Sequence, residues 1–234
     1  MKLEQGTPSG NGLDASQLSR LYLRRFSREE EARKDKLWEV LCVSFLQRFV
    51  PTDAVVLDLA CGNGEFSRHI RARQHYAADL KENAQSYLPA HVQFRQAIAS
   101  NLDFLADASV DVCFTSNFFE HLPCKADLDA VVREVRRVLR PGGRFIAIQP
   151  NIRYAPGKYW DFYDHYLPLS HLSCAECFEL NGLEVETLIG RFLPWSTKSR
   201  VPQKPFLLRL YLRLPILWRF FGEQFLIVGR KPSP

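Results

Sequence analysis

The residue types best suited to binding chemistry lie in a turn of small residues that follows an apolar run. Residues 55–59 are Val-Val-Leu-Asp-Leu, and residues 60–64 are Ala-Cys-Gly-Asn-Gly. The run predicts a buried strand of a parallel sheet, and residues 66–70 can begin a helix. Such a unit places backbone N–H groups around a cavity at the carboxyl end of the strand, where α/β proteins bind ligands. Gly62 and Gly64 let a ligand approach the backbone, or let the turn adopt positive φ.

A carboxylate follows this turn at the spacing of a nucleoside-binding unit. Residues 75–79 predict a second short strand that ends in Asp79, 21 residues after Asp58. A carboxylate about 20 residues past a glycine turn holds ribose hydroxyls in nucleotide-binding βαβ units. Ser67 stands where the dinucleotide fingerprint has a third glycine, and no Gly-Lys-Ser/Thr phosphate loop is present. The pattern predicts a nucleoside ligand without a pyrophosphate, with helix capping or loop solvation as the structural alternative for Asp58 and Asp79.

These segments together resemble the class I S-adenosylmethionine-dependent methyltransferases, in the branch that includes small-molecule and lipid O-methyltransferases. Residues 58–64 resemble the first motif of the family, and the resemblance continues through Asp79, residues 111–122 and residues 139–148. It covers about residues 50–190. It implies an α/β fold with a Rossmann-like, seven-stranded, mostly parallel sheet, helices on both faces and an antiparallel last strand. It also implies S-adenosylmethionine as the cofactor.

The resemblance implies roles for individual residues in holding this cofactor. The two glycines would line the methionine portion, with Asn117 beside it, and Asp79 would accept hydrogen bonds from the ribose hydroxyls. Asp58 would orient the glycine turn or reach the methionine ammonium. The third strand ends without a carboxylate for the adenine amino group, so Ile98 would pack on the adenine face and backbone groups would bind its edge. The predicted cofactor site comprises Asp58, Ala60, Gly62, Gly64, Asp79, Leu80, Ala97, Ile98 and Asn117.

Four residues are candidates for taking the proton from a methyl acceptor. Methyl transfer from a sulfonium is an in-line displacement in which the cofactor supplies the electrophile, so the protein mainly positions the nucleophile and excludes water. A hydroxyl acceptor also benefits from a general base. The candidates are Glu120 and His121, after the fourth predicted strand, and His165 and His171, further along the chain. For each histidine, packing with a backbone hydrogen bond is the structural alternative.

From the sequence, no metal site is predicted. Asn117, Glu120 and His121 are close to a Glu-x-x-Glu-His arrangement that some relatives, such as ubiquinone-pathway O-methyltransferases, use for a divalent metal. Here the first acid is Asn117. One carboxylate and one imidazole are too few ligands for a hard cation.

The elements that must position these residues are indicated by hydrophobic periodicity and by capping signals. A capping box at residues 27–30 predicts a helix that runs toward Phe49, and a second helix is predicted to begin at a Ser173 cap and to end at residues 181–182. A further helix is predicted over residues 127–139. The remaining predicted strands are residues 92–98, 110–116, 144–149, 183–189 and 224–229.

Length and cysteine content predict one cytoplasmic domain. A chain of 234 residues can bury a core as a single unit, and no signal-peptide h-region opens it. Its six cysteines lie mostly in apolar segments, which is typical of reduced, buried thiols, and the Cys174–Cys177 pair is interpreted as helix packing. Residues 1–12 are predicted to be disordered and residues 13–234 to form one methyltransferase domain, with a short basic helix within residues 13–26.

Two long connections are predicted to lie on the substrate side, residues 150–172 and 191–222, because long connections in compact domains are usually functional. The basic charge is concentrated near the second connection, since residues 191–234 hold nine Lys/Arg and one acid, whereas the whole chain has a net charge of +5. Residues 206–221 are too short and too charged to span a bilayer. They predict either a lid of two helices with solvated arginines or a basic amphipathic contact with a membrane surface.

The predicted function is methyl transfer from S-adenosylmethionine to a small or lipid-linked acceptor, most consistent with a hydroxyl oxygen. N-methylation or a nucleic-acid acceptor is the alternative within enzymes, because the basic tail would attract phosphates. No RNA-binding module and no Asn-Pro-Pro-Tyr type motif supports that alternative, so no nucleic-acid partner is expected. A cofactor-binding protein without catalysis is the alternative from a different class. The acceptor and the oligomeric state do not follow from the sequence.

Overall fold

A computed structural model of the chain describes residues 28–194 and 204–233, with side chains from residue 31 onward. The predicted disorder of residues 1–12, the predicted helix within 13–26 and the Ser27 cap lie outside the described residues. The described part contains one seven-stranded sheet with strand order β3-β2-β1-β4-β5-β7-β6. The strands are β1 (Val55–Leu59), β2 (Gln74–Asp79), β3 (Gln93–Gln96), β4 (Val110–Ser116), β5 (Leu139–Pro150), β6 (Glu184–Ile189) and β7 (Gln224–Arg230).

The strand directions confirm the predicted fold class. β1 pairs in parallel with β2 and β4, β2 with β3, and β4 with β5. β7 runs antiparallel between β5 and β6, so that β6 forms the edge of the sheet. Every residue of β1 is buried, whereas β6 alternates between exposed and half-buried positions. This is the expected difference between a central strand and an edge strand. The parallel pairing brings the carboxyl ends of β1, β2, β4 and β5 to one edge of the sheet.

Helices cover both faces of the sheet. They are α1 (Arg28–Ser44), α2 (Glu65–His69), α3 (Lys125–Val138), α4 (Pro156–Tyr159), α5 (His171–Leu180), α6 (Pro205–Arg213) and α7 (Pro215–Phe221). Short 3-10 turns occur at Leu46–Phe49, Glu82–Tyr87 and Phe119–His121. Among the described helices, none has the length and apolar character needed to cross a bilayer.

The two faces of the sheet bury separate hydrophobic cores. One core contains the apolar stripe of α3 together with Cys174 and Cys177 of α5, which confirms the interpretation of these cysteines as packing residues. The other core joins α1 to the α6–α7 pair through aromatic rings. The Phe192 ring lies 4.6 Å from the Phe45 ring, in a tilted arrangement, and 5.3 Å from the Trp218 ring, edge to face, measured between ring centroids. The α6–α7 pair is therefore packed against the domain on one side.

Several predicted boundaries differ from the structure. The helix predicted to run toward Phe49 ends at Ser44, and the chain continues as a 3-10 turn. β5 begins at Leu139, ahead of the Pro-Gly-Gly sequence that was expected to precede it. The cap of α5 is Ser170, not Ser173. The Ser170 hydroxyl accepts from the Ser173 backbone N–H at 3.2 Å and the Ser173 hydroxyl accepts from the Ser170 N–H at 3.0 Å, so Ser173 is the third residue of a capping box.

Candidate active site

The chain leaves β1 through residues that adopt positive φ. Ala60, Gly62 and Gly64 have φ values of 55°, 54° and 70°. A Cβ added at Gly62 would meet nothing within 4 Å, whereas a Cβ at Gly64 would lie 2.5 Å from the Leu88 Cδ2 atom. Gly64 is therefore favoured by its positive φ, and a side chain there would also require Leu88 to shift. Gly62 instead faces open space, which leaves its backbone accessible to a ligand.

Asp79 at the end of β2 is tied to this turn. Its Oδ2 atom accepts a hydrogen bond from the Gly62 N–H at 2.8 Å, and its Oδ1 atom accepts one from the Lys81 N–H at 2.9 Å. Each carboxylate oxygen can accept a second hydrogen bond, so the group can receive hydroxyl donors without releasing the turn. The structure thus joins Asp79 to the glycine turn by a hydrogen bond, as their spacing in the sequence suggested. The role of Asp79 in binding ribose stays a prediction.

Asp58 is buried within β1, with 3% of its surface exposed. Its Oδ2 atom accepts a hydrogen bond from the Ser67 hydroxyl at 2.7 Å. Burial, together with the negative charges of Glu65 and Asp79, raises the pKa of Asp58 to about 7, although the hydrogen bond from Ser67 lowers it. Because Ser67 belongs to α2, Asp58 fastens the strand to the helix behind the glycine turn. This geometry favours a role for Asp58 in orienting the glycine turn over a contact with the methionine ammonium of the cofactor.

Exposed apolar side chains follow β2 and β3 at the same edge of the sheet. Leu80 is 48% exposed and Ile98 is 53% exposed. The two segments are joined because the Gln96 side-chain amide donates to the Leu80 carbonyl at 2.8 Å and the Ala97 N–H donates to the Asp79 carbonyl at 3.1 Å. An apolar surface beside Asp79 suits an adenine ring, as predicted for Leu80, Ala97 and Ile98.

Asn117 follows β4 in a left-handed conformation with φ of 47°. Its N–H donates to the Ile148 carbonyl at 2.9 Å, and its Oδ1 atom accepts from the Gln224 side-chain amide at 2.7 Å. Neighbouring Gln149 accepts from the Phe118 N–H at 3.0 Å, and its own Nε2 atom is buried with no hydrogen-bond partner among the described residues. Gln149 and Gln224 were missed in the sequence. Each is a glutamine next to an apolar run: Gln149 near the carboxyl end of β5 and Gln224 at the start of β7.

Glu120, His121 and His165 converge into one cluster, although His165 lies in the connection after β5. One ligand-type atom from each residue lies within 4.8 Å of the others. The His121 Nδ1 atom donates to the Asp164 backbone carbonyl at 2.8 Å, and the His165 Nδ1 atom donates to the Tyr159 carbonyl at 2.9 Å. Both rings thus make the backbone hydrogen bond of the structural alternative, and they also face a common centre.

The carboxyl group of Glu120 is the least satisfied member of this cluster. Only 2% of the residue is exposed, and its Oε2 atom is buried with no hydrogen-bond partner among the described residues. Burial, together with the nearby charge of Asp164, raises the pKa of Glu120 to about 8, although its backbone hydrogen bond lowers it. The side chain is therefore held as a neutral acid at pH 7. An isolated buried carboxyl of this kind is typical of functional sites rather than of packing.

His171 lies apart from this cluster. Its Nδ1 atom is 3.0 Å from the Asn151 side-chain amide, and burial lowers its pKa. It lines a cavity of about 780 Å³ whose wall includes two arginines and several aromatic side chains: Tyr154, His171, Arg191, Trp218, Arg219 and Phe220. The Arg191 guanidinium lies 4.6 Å above the Tyr154 ring. Of the four predicted proton acceptors, the structure thus brings three together and places the fourth in a separate cavity.

Part of the chain matches a known protein family. Residues 57–147 match the family described as a methyltransferase domain. Over this stretch the chain is similar to the class I S-adenosylmethionine-dependent methyltransferases. The match covers the glycine turn, Asp79 and the Glu120–His121 pair. The open space above Gly62 and the carboxylate beside it fit the cofactor of this class.

Two curated relatives align with somewhat more than half of the chain. One, from Mycolicibacterium smegmatis, is named "Probable S-adenosylmethionine-dependent methyltransferase" and is 35% identical over 144 residues, which are 58% of this chain and 54% of the relative. Another, from Yersinia pestis, is named malonyl-[acyl-carrier protein] O-methyltransferase and is 31% identical over 136 residues, 53% of this chain and 50% of the relative. The chain therefore spans about half the length of the curated relatives it matches.

A solved structure shares the fold of the methyltransferase domain. The crystal structure of a SAM-dependent methyltransferase from Archaeoglobus fulgidus superposes with a TM-score of 0.64 at 17% identity, covering 91% of this chain and 99% of the other. At this identity the likeness concerns the fold alone.

Proposed function

We propose that this chain transfers the methyl group of S-adenosylmethionine to an oxygen atom of a small or lipid-linked acceptor. The observation that carries the proposal is that two sites lie at one edge of the sheet. The Gly62–Asp79 site follows β1 and β2, and the cluster of Glu120, His121 and His165 begins directly after the adjacent strand β4.

The proposed chemistry assigns distinct tasks to the two sites. The cofactor supplies the electrophilic methyl group, and Asp79 with the glycine turn holds its nucleoside. As the acceptor oxygen forms its bond to the methyl carbon, the carbon–sulfur bond breaks and the hydroxyl proton must leave. We assign the removal of this proton to the two imidazoles of the cluster, because the Asp164 and Tyr159 carbonyls hold His121 and His165 in fixed orientations.

The cavity beside His171 supports an acceptor with both anionic and apolar parts. Arg191 and Arg219 lie on its wall, and apolar side chains surround them. The α6–α7 pair beside it exposes six large apolar side chains to solvent: Phe206, Leu210, Leu214, Ile216, Phe220 and Phe221. Such a surface suits an acceptor that is presented on a lipid or on a carrier-bound chain.

The same surface supports peripheral contact with an anionic membrane. Arg209, Arg213 and Arg219 are exposed among these apolar side chains. The opposite side of the α6–α7 pair packs on the domain through Tyr211, whose hydroxyl donates to the Phe192 carbonyl at 2.6 Å. The lid and the membrane contact are thus compatible. We also propose a cytoplasmic location, because all six cysteines are free thiols, as is typical of proteins in a reducing compartment.

The experiment incubates the purified chain with tritium-labelled S-adenosylmethionine and four acceptor fractions: lipid extract, water-soluble metabolites, malonyl-[acyl-carrier protein] and RNA. Malonyl-[acyl-carrier protein] is included because one relative is named for it. We expect label in one of the first three fractions, and much less label with Asp79→Ala at the same cofactor concentration. Label in RNA would overturn the proposed acceptor class. Tight cofactor binding without transfer to any fraction would instead support a binding protein without catalysis.

A further inference from the structure

The side chains of the Glu120–His121–His165 cluster could bind a metal ion as well as accept a proton. It brings two imidazoles and one carboxyl group within 4.8 Å of one another. The Oε2 atom of Glu120 is buried and has no hydrogen-bond partner among the described residues. Leaving a carboxyl oxygen unpartnered in the interior is costly, so the fold would not retain it without a compensating contact.

The two histidines are oriented as metal ligands usually are. Ligating imidazoles donate their second ring N–H to a carbonyl or a carboxylate, which fixes the tautomer. Here the Nδ1 atoms of His121 and His165 donate to backbone carbonyls, and a ring protonated on Nδ1 carries its lone pair on Nε2. The Asp164 carboxylate also lies 3.4 Å from the His121 Nδ1 atom and is 1% exposed. The cluster therefore has a built outer shell.

The backbone around the cluster is fixed by hydrogen bonds that join its two segments. The N–H groups of Tyr166 and Leu167 donate to the Glu120 carbonyl at 2.7 and 3.2 Å. The segment carrying His165 is thus held against the segment carrying Glu120 and His121. A site made of two such segments is preorganised for a ligand at its centre.

We infer that Glu120, His121 and His165 bind a first-row divalent cation such as Zn²⁺. Two imidazoles with one carboxylate suit Zn²⁺, Fe²⁺ or Co²⁺, whereas Mg²⁺ and Ca²⁺ prefer oxygen ligands alone. Ligands of one tetrahedral Zn²⁺ lie about 3.3 Å apart, so the three side chains need to move inward by about an ångström. Three protein ligands leave a coordination position for an acceptor oxygen, whose hydroxyl pKa the cation would lower, so that the ligating imidazoles would not need to take its proton.

This ligand set differs from the one considered in the sequence. There, Asn117 stood in the place of the missing acid and no metal was predicted. In the structure Asn117 instead accepts a hydrogen bond from Gln224. His165 supplies the third ligand from another connection, so its contribution depends on the fold and not on a local motif.

The test is titration of the chelator-treated full chain with Zn²⁺ by calorimetry and with Co²⁺ by visible absorption. A Cys124→Ser background removes the exposed thiol. We expect one equivalent of Zn²⁺, Co²⁺ bands of a nitrogen-containing site, and no heat with Mg²⁺. Asp164→Asn should weaken Zn²⁺ binding about 10- to 100-fold, since it removes an outer-shell partner. Glu120→Gln and His165→Gln, each a loss of a ligand, should weaken it more.

His91→Gln serves as the control, because His91 is an exposed histidine outside the cluster. It should bind Zn²⁺ like the parent chain, and circular dichroism should show that all variants are folded. No stoichiometric binding by the parent chain, or equal binding by Glu120→Gln and His165→Gln, would overturn the inference. The readout is metal bound and not methyl transferred, so failure here would leave the proposed methyl transfer standing, with an imidazole as the proton acceptor.

Discussion

The imidazole rings of His121 and His165 lie edge to face with their centroids 5.1 Å apart, although one follows β4 and the other lies in the connection after β5. Their approach depends on the hydrogen bonds from Tyr166 and Leu167 to the Glu120 carbonyl. The Glu120–His121–His165 cluster is thus built by contacts between two connections and not by either connection alone.

Replacing a histidine of this pair should impair methyl transfer without affecting the cofactor. We expect His121→Asn or His165→Asn to lower kcat about 100-fold or more, because each removes a group that takes the acceptor proton or holds the cation that would acidify it. The Kd for S-adenosylmethionine should stay unchanged. His171→Asn is the comparison, and it should raise KM for the acceptor more than it lowers kcat, because His171 lines the separate cavity. Equal kcat in all three variants would leave positioning as the whole mechanism.

The two glycines of the turn should respond differently to an added methyl group. Gly64→Ala should destabilise the fold by about 2–4 kcal/mol, because it combines positive φ with a clash against Leu88. Gly62→Ala should cost about 1–2 kcal/mol for the backbone alone and should mainly weaken cofactor binding. Urea unfolding and calorimetry measure the two effects. Gly157→Ala, with open space and no positive φ, is the control. A larger loss of stability in Gly62→Ala than in Gly64→Ala would contradict this assignment.

Asp58 should make the stability of the cofactor-free protein depend on pH. Its pKa is about 7 in the folded state and 3.8 ordinarily, so the folded state binds the proton more tightly. The resulting stability is fully present below pH 4 and is lost as the pH rises to about 7, with a total of about 4 kcal/mol. Asp58→Asn should remove this contribution and flatten the profile. Urea unfolding at intervals between pH 4 and pH 8 measures the free energy of unfolding. The same dependence of this free energy on pH in the parent protein and in Asp58→Asn would refute the prediction.

The α6–α7 surface should bind anionic vesicles. Each arginine near an anionic surface contributes about 1 kcal/mol, so replacing Arg209, Arg213 and Arg219 together by Gln should weaken binding about 100-fold. Flotation with phosphatidylserine-containing liposomes measures this. The matched control replaces three exposed basic residues of other surfaces, Arg33, Lys36 and Arg71, and should float like the parent protein. No flotation by the parent protein, or the same loss in the control, would leave the lid as the role of this pair.

The sheet and the link between the glycine turn and Asp79 could be predicted because their signals are local. The strand over residues 110–116 is an almost wholly apolar run, and its predicted bounds match β4. Gly62 and Asp79 are linked by spacing, and the structure joins them by a hydrogen bond. In these cases neighbouring residues or a fixed βαβ spacing carry the information.

The cluster around Glu120 and the contact of Asn117 with Gln224 could not be predicted to the same extent, because they depend on contacts distant in sequence. Nothing near His165 indicates that it meets His121, and nothing near Gln224 indicates that its amide reaches Asn117. The α5 cap was misplaced for a local reason, since Ser170 and Ser173 both fit the cap and the hydrogen bonds decide between them. The path of the chain thus determines which distant side chains meet, and hydrogen bonds determine which serine caps the helix. The hydrophobic pattern of the sequence indicates neither.

Calorimetric titration with S-adenosylmethionine tests the central claim most directly. The parent chain should bind one equivalent, and Asp79→Ala should bind about 10- to 100-fold more weakly, because charge-assisted hydrogen bonds to the ribose and to the Gly62 N–H are lost. Asp103→Ala, which removes an exposed carboxylate elsewhere on the surface, should bind like the parent chain. Absence of binding by the folded parent chain, or equal affinity in Asp79→Ala, would contradict the assignment of this turn as the cofactor site.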